Sequence, residues 1–180
     1  MSEDPILIAG GGVAGLTLAL TCHQLGVPVQ VFESARELRP LGVGINVQPN
    51  AVRELIDLGL GDHLPNIGVA TQEYGFFTKH GKEIWNEPRG LEAGYSWPQY
   101  SVHRGELQLM LHDAVVDRLG SDAIQLGSRV TGYVNDGDSV RLQFEVNGEA
   151  TEVSGPLVVA ADGLHSAIRA QMVPDEGPPI

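Results

Sequence analysis

The chain has 180 residues, of which 42% are hydrophobic and 19% charged, with a formal net charge of −12. That length suits one ordinary or one large domain, and the apolar share excludes a disordered chain. The acidic balance offers no basic footprint to nucleic acid or an anionic membrane surface, so a small anion would need a local site.

Residues 5–9 form a short apolar run halted by Gly10-Gly11-Gly12, and residues 13–25 then run helical until Gly26, so the start reads as strand, tight turn and helix. Residues 28–32 are a second strand ending at Glu33, which completes a βαβ unit and calls for a parallel sheet. Residues 36–48, with Arg39-Pro40, Gly42 and Gly44, read as a loop, and Asn50 is expected to cap a helix over 51–58. Residues 72–85 read as a β-hairpin around Lys79-His80-Gly81-Lys82, and 99–102 as a further short strand. In 105–119, Leu107, Met110, Leu111, Ala114, Val115 and Arg118 recur at 3–4 spacing, which predicts an amphipathic helix ended by Gly120. Residues 128–134, 140–146 and 150–153 form a three-stranded meander turned at Asn135-Asp136-Gly137-Asp138 and Asn147-Gly148. Residues 157–161 are a strongly apolar strand, Asp162-Gly163 a turn, and 165–172 a last helix before a Pro/Gly-rich tail.

The chemistry-bearing motif is Gly10-Gly11-Gly12-Val13-Ala14-Gly15, a G-x-G-x-x-G placed where strand meets helix. Gly10 permits the turn, Gly12 lets backbone amides approach a pyrophosphate, and Gly15 lets the helix pack closely on the strand. The helix N-terminus at Val13 and Ala14 then faces the phosphates with its partial positive charge. Glu33 follows at the expected interval of about 20 residues, where its carboxylate accepts from a ribose 2′-hydroxyl. The fingerprint names an ADP-ribose moiety without choosing NAD or FAD. An NAD domain continues with further βα units, whereas here about a hundred residues of hairpin, helix and meander intervene, as in a domain for an extended flavin cofactor. The six histidines show no metal-ligand spacing, so no metal site is expected. Asp162, His165 and Ser166 lie too close in sequence to form a hydrolase triad. Trp85 and Trp97 read as packing residues ahead of substrate platforms, and Cys22 as an inert core thiol. A lone cysteine allows no intrachain disulfide and fits a reducing, cytoplasmic compartment. The apolar run at 6–9 is too short for a signal peptide or membrane span.

The fingerprint with Glu33, then Leu38-Arg39-Pro40-Leu41-Gly42-Val43-Gly44-Ile45, Pro49-Asn50-Ala51, Val102-His103-Arg104-Gly105-Glu106-Leu107, and Ala161-Asp162-Gly163 with Ser166 and Arg169 together resemble one family. It is that of the FAD-dependent aromatic monooxygenases of the p-hydroxybenzoate and salicylate hydroxylase type. Within it, Glu87-Pro88-Arg89-Gly90 and Pro98-Gln99-Tyr100-Ser101 look most like phenazine hydroxylases. The resemblance implies an α/β fold: a Rossmann-like βαβ FAD-binding domain over 1–180 with an inserted β-hairpin and three-stranded meander. It implies that Glu33, with Ser34 beside it, binds the adenosine ribose, that Arg104 reaches the FAD phosphates or ribitol, and that Val43 and Gly44 line the flavin. Val130 would meet the adenine through its backbone, and Asp162 would lie in a second motif serving both FAD and NAD(P)H. The implied reaction is reduction of FAD by NAD(P)H, capture of O₂ as a flavin C4a-hydroperoxide and oxygen transfer to a small aromatic substrate. No catalytic residue is expected from this part of the enzyme. Two alternatives stand beside it: an NAD(P)-dependent dehydrogenase domain, and a non-catalytic nucleotide-binding fragment.

The family also has a strand carrying a Gly-Asp motif and a substrate domain, neither of which is recognisable here. The chain is therefore expected to be incomplete at its C-terminus, with the missing half as its partner. Its core sheet should then show an open edge or apolar face.

Overall fold

In the computed structural model, which describes residues 4–177, the elements in chain order begin with β1 (Ile6–Ala9), α1 (Val13–Gln24), β2 (Val29–Phe32), β3 (Gly44–Val47), α2 (Pro49–Asp57), α3 (Leu64–Ile67), β4 (Gly68–Thr71), β5 (Glu73–Phe77) and β6 (Glu83–Pro88). They continue with β7 (Gln99–His103), α4 (Arg104–Leu119), β8 (Ile124–Gln125), β9 (Ser128–Asn135), β10 (Val140–Val146), β11 (Glu149–Gly155), β12 (Val158–Ala160) and α5 (Ala167–Met172). Two compact units result. One is the chain up to Arg39 together with the chain from Gln108 onward; the other is Pro40–Leu107.

The first unit is built on a parallel sheet in the order β12-β1-β2-β8. Its strands are short and apolar because both faces are covered. Leu7 and Ala9 point to one face, where with Phe32 they meet Leu142 and Phe144 of the meander and Ile168 of α5. The Phe32 and Phe144 rings lie 4.8 Å apart, tilted by 48°. Ile8 points to the other face and meets α1 at Gly15, where Leu16, Ala19 and Leu20 are fully buried. The meander β11-β10-β9 is antiparallel, and Asn147 and Gly148 both take positive φ, at 56° and 86°, as the expected two-residue turn requires. Among the described residues β12 pairs with β1 alone, and Leu157 and Ala160 beside that edge are exposed.

The second unit holds the sheet β3-β7-β4, with α2 and α3 supplying the buried Val52, Leu55 and Leu64. The hairpin β5-β6 stands apart from it and carries a cluster of half-exposed rings, Tyr74, Phe76 and Trp85, with centroids 5.1 to 6.3 Å apart. Trp97 lies under the Arg53 guanidinium at 5.6 Å.

Three local expectations need correction. Residues 44–47 are not loop but strand β3, because their pairing partner β7 lies some 55 residues further on and no local signal announces it. Asn50 does not cap α2; the helix begins at Pro49, whose missing N–H and fixed φ suit the first helical position, with Gln48 before it. His165 lies outside the last helix, which starts after Ser166.

Candidate cofactor site

Three parallel strands end on the same side of the first unit, and their ends bring together residues distant in sequence. β1 runs into Gly10, β2 into Glu33, and β12 into Ala161-Asp162. This is the edge at which open parallel sheets bind ligands. Gly10 turns with φ +104°, and a Cβ there would lie 2.3 Å from the Ala161 carbonyl oxygen. A Cβ on Gly15 would lie 1.9 Å from the Gly10 carbonyl oxygen, so both glycines are demanded by the protein's own packing. Gly12 is different. Its φ of −77° and ψ of −177° suit any residue, and a Cβ there would meet nothing within 4 Å.

Helix α1 follows with Gly12 at its N-cap and no side-chain cap. The amides at Val13 and Ala14 thus head a helix whose first-turn donors are not met by a capping side chain, beside open space. Glu33 stands next to this turn. Its Oε2 accepts from the Gly11 N–H at 2.7 Å, and its Oε1 accepts from the Ala35 N–H at 2.8 Å and the Ser34 hydroxyl at 3.0 Å. Its carbonyl accepts from the Ser128 N–H at 2.8 Å, which ties the start of β9, two residues before Val130, to the same region. Val130 itself packs half-buried against the Phe32 and Phe144 cluster.

Asp162 is committed to α5. Its Oδ1 accepts from the Ser166 hydroxyl at 2.6 Å and its Oδ2 from the Ala167 N–H at 2.8 Å, while Ser166 Oγ accepts from the Arg169 N–H at 2.9 Å. These are helix-capping bonds, and they leave Ser166 without the geometry of a nucleophile. Cys22 is 7% exposed, and burial pushes its thiol above the ordinary value, as expected of an unreactive core residue.

In the second unit, Arg104 Nη2 donates to the Leu41 carbonyl at 3.1 Å, and its guanidinium packs against Gly42. It shapes the loop that leads into the exposed Val43 and Gly44. One residue that the sequence reading passed over is Gln108 of α4, whose Nε2 donates to the Gly11 carbonyl at 2.8 Å. The only signal for it was a lone amide among Leu107, Met110 and Leu111.

The turn fits an ADP-bearing cofactor: it has open space at Gly12, backbone donors at the helix start and the Glu33 carboxylate held beside it at the end of β2. Comparison with known proteins agrees with this geometry. A model of the FAD binding domain family matches residues 3–177. A phenazine 1,6-dicarboxylic acid hydroxylase of Lysobacter antibioticus is 47% identical over 178 residues, covering 97% of this chain and 44% of the relative. A salicylate hydroxylase of Pseudomonas putida is 33% identical over 179 residues, covering 94% of this chain and 38% of that protein. Among solved structures, Klebsiella pneumoniae HpxO complexed with FAD and uric acid superposes with a TM-score of 0.76 at 29% identity, over 95% of this chain and 42% of that one. The chain therefore spans less than half the length of these relatives. No helix among the described residues is long and apolar enough to cross a membrane.

Proposed function

Since this chain belongs to the FAD binding domain family, we propose that it is the cofactor-binding part of an NAD(P)H-dependent flavoprotein monooxygenase that hydroxylates a small aromatic substrate. The observation that carries the reading is the turn at Gly12. Protein packing explains Gly10 and Gly15 but leaves the space in front of Gly12 free, as a pocket for a diphosphate demands. The names of the relatives, a phenazine dicarboxylic acid hydroxylase and a salicylate hydroxylase, support an electron-rich ring as substrate. A flavin supplies the redox chemistry when bound: hydride from a reduced nicotinamide enters, and O₂ gives one oxygen atom to the ring and the other to water.

The residues of this chain bind and orient. The amides of Gly12, Val13 and Ala14 take the diphosphate, the Glu33 carboxylate takes the adenosine ribose with Ser34 steadying it, and the Val130 backbone meets the adenine. Arg104, Val43 and Gly44 serve the phosphate, ribitol and flavin portions, a role that rests on the family resemblance. With its carboxylate engaged by α5, Asp162 contributes by holding the backbone after β12. The reading includes a cytoplasmic location, which a lone cysteine and dependence on reduced nicotinamide support.

The test is competitive titration of the chain with FAD, ADP and 2′-deoxy-ADP. Wild type should bind FAD, and should prefer ADP to its 2′-deoxy form by about tenfold, the worth of one hydrogen bond to a charged group. Glu33→Ala should erase that preference. Equal binding of the two nucleotides by wild type removes the ribose role, and absence of FAD binding removes the cofactor assignment.

A further inference from the structure

We propose that Gln108 is a positioning residue that fixes the phosphate-facing peptide of the glycine turn. The proposal rests on the cofactor reading above and deepens it. Gln108 sits half-buried on α4, and its Nε2 reaches across 97 residues of sequence to donate to the Gly11 carbonyl at 2.8 Å. The N–H of the same Gly11 is held by Glu33 Oε2 at 2.7 Å. Gly11 is thus buried and clamped at both of its backbone polar groups.

The consequence follows from peptide geometry. In a planar trans peptide the carbonyl and the following N–H point in opposite directions, and no cis bond occurs among the described residues. Holding the Gly11 carbonyl toward Gln108 therefore fixes the direction of the Gly12 N–H, away from Gln108. Both residues flanking this peptide are glycines, so no Cβ opposes its rotation in place. A rotated peptide would present a carbonyl oxygen to a diphosphate where an N–H is needed, converting a favourable contact into a repulsive one. Gly12 is the N-cap of α1 and carries no side chain to compensate. Neighbouring amides at Val13 and Ala14 are oriented by the helix itself, but the Gly11–Gly12 peptide precedes the helix and depends on its two clamps. Glu33 alone does not set it, because that carboxylate holds the N–H on the far side of the Gly11 α-carbon, leaving ψ of Gly11 free to turn.

The experiment has two arms. In the first, ¹H–¹⁵N spectra of the unliganded chain compare wild type with Gln108→Met, which keeps the length and removes the donor, and Gln108→His, whose ring Nε2–H restores one at similar reach. The Gly11 and Gly12 amide signals should shift and broaden by exchange in Gln108→Met and return in Gln108→His. In the second arm, Gln108→Met should weaken FAD and ADP binding about tenfold while leaving adenosine binding unchanged. Should Gln108→Met fail to fold, Gln108→Glu carries the same comparison, since it keeps the shape and sets a carboxylate against the carbonyl. Unmoved Gly12 signals in a folded variant overturn the proposal, as does an equal loss for adenosine and ADP. If wild type binds no FAD, the cofactor reading fails while the amide spectra still decide the clamp.

Discussion

Alanine at Gly12 and alanine at Gly15 should have opposite consequences, although both residues belong to one fingerprint. At Gly15 the new Cβ would lie 1.9 Å from the Gly10 carbonyl oxygen, against a limit of 3.0 Å below which something must shift. The obstructing atom is backbone, so α1 must move by about 1 Å relative to the turn. Overpacking of this kind costs about 3 kcal/mol, and the better helix propensity of alanine returns about 1 kcal/mol of it. The net loss of about 2 kcal/mol should lower the thermal midpoint by roughly 6 °C in a chain of this size. At Gly12 the backbone already sits at φ −77°, and a Cβ meets nothing within 4 Å. Gly12→Ala should therefore leave the midpoint nearly unchanged, because the gain of up to about 1 kcal/mol from a stiffer unfolded chain is offset by the poorer fit of alanine than glycine at the N-cap. The same methyl would stand in the space assigned to the diphosphate and should weaken FAD binding by about a hundredfold, or roughly 3 kcal/mol. Thermal denaturation followed by circular dichroism, with flavin fluorescence titration on the same samples, separates the two effects. A Gly12→Ala chain that melts like Gly15→Ala, or that binds FAD as tightly as wild type, would refute the argument that Gly12 faces the ligand and not the protein.

Two further outcomes concern stability. Ser166→Ala removes the acceptor for the Arg169 N–H at the start of α5 and should cost about 1 kcal/mol, while Asp162→Ala removes three bonds, from the Ser166 hydroxyl and the Ala167 and Ile168 N–H groups, and should cost more; equal midpoints for all three proteins in thermal denaturation would deny the capping role. The Arg141 guanidinium, hydrogen-bonded to Asp136 at 2.8 Å, holds that carboxyl below its ordinary value. A group depressed in the folded state stabilises above its unfolded value, near pH 3.9, and that contribution fades as pH falls through the lower folded value. A carboxyl ¹³C titration should place Asp136 below the usual aspartate midpoint, and Arg141→Gln should return it; an unshifted wild-type midpoint counts against the contact.

The first βαβ unit was legible because its information is local. Three glycines, a helical run and an acid at the end of the next strand lie within about 30 residues, and steric rules for glycine and helix periodicity operate at that range. The hairpin at β5-β6 and the Asn147-Gly148 turn were legible for the same reason. The starts of α2 and α5 were misplaced by one or two residues, and the larger failures were features whose cause lies elsewhere in the chain. Strand β3 is a strand only because β7 pairs with it. The division into two units is equally invisible, since the first is assembled from both ends of the sequence.

The amino-acid order by itself determined that a dinucleotide-type turn would form at Gly10–Gly15 and which acid would follow it, because backbone sterics and helix polarity need no distant partner. Only the tertiary structure decided how each glycine is used, that Asp162 is spent on capping α5, and that Gln108 closes on the Gly11 carbonyl. Those roles depend on hydrogen bonds and on clearances of about 1 Å or less, some of them between segments about 150 residues apart, as where Ala161 meets Gly10, and such distances are fixed by packing and not by pattern.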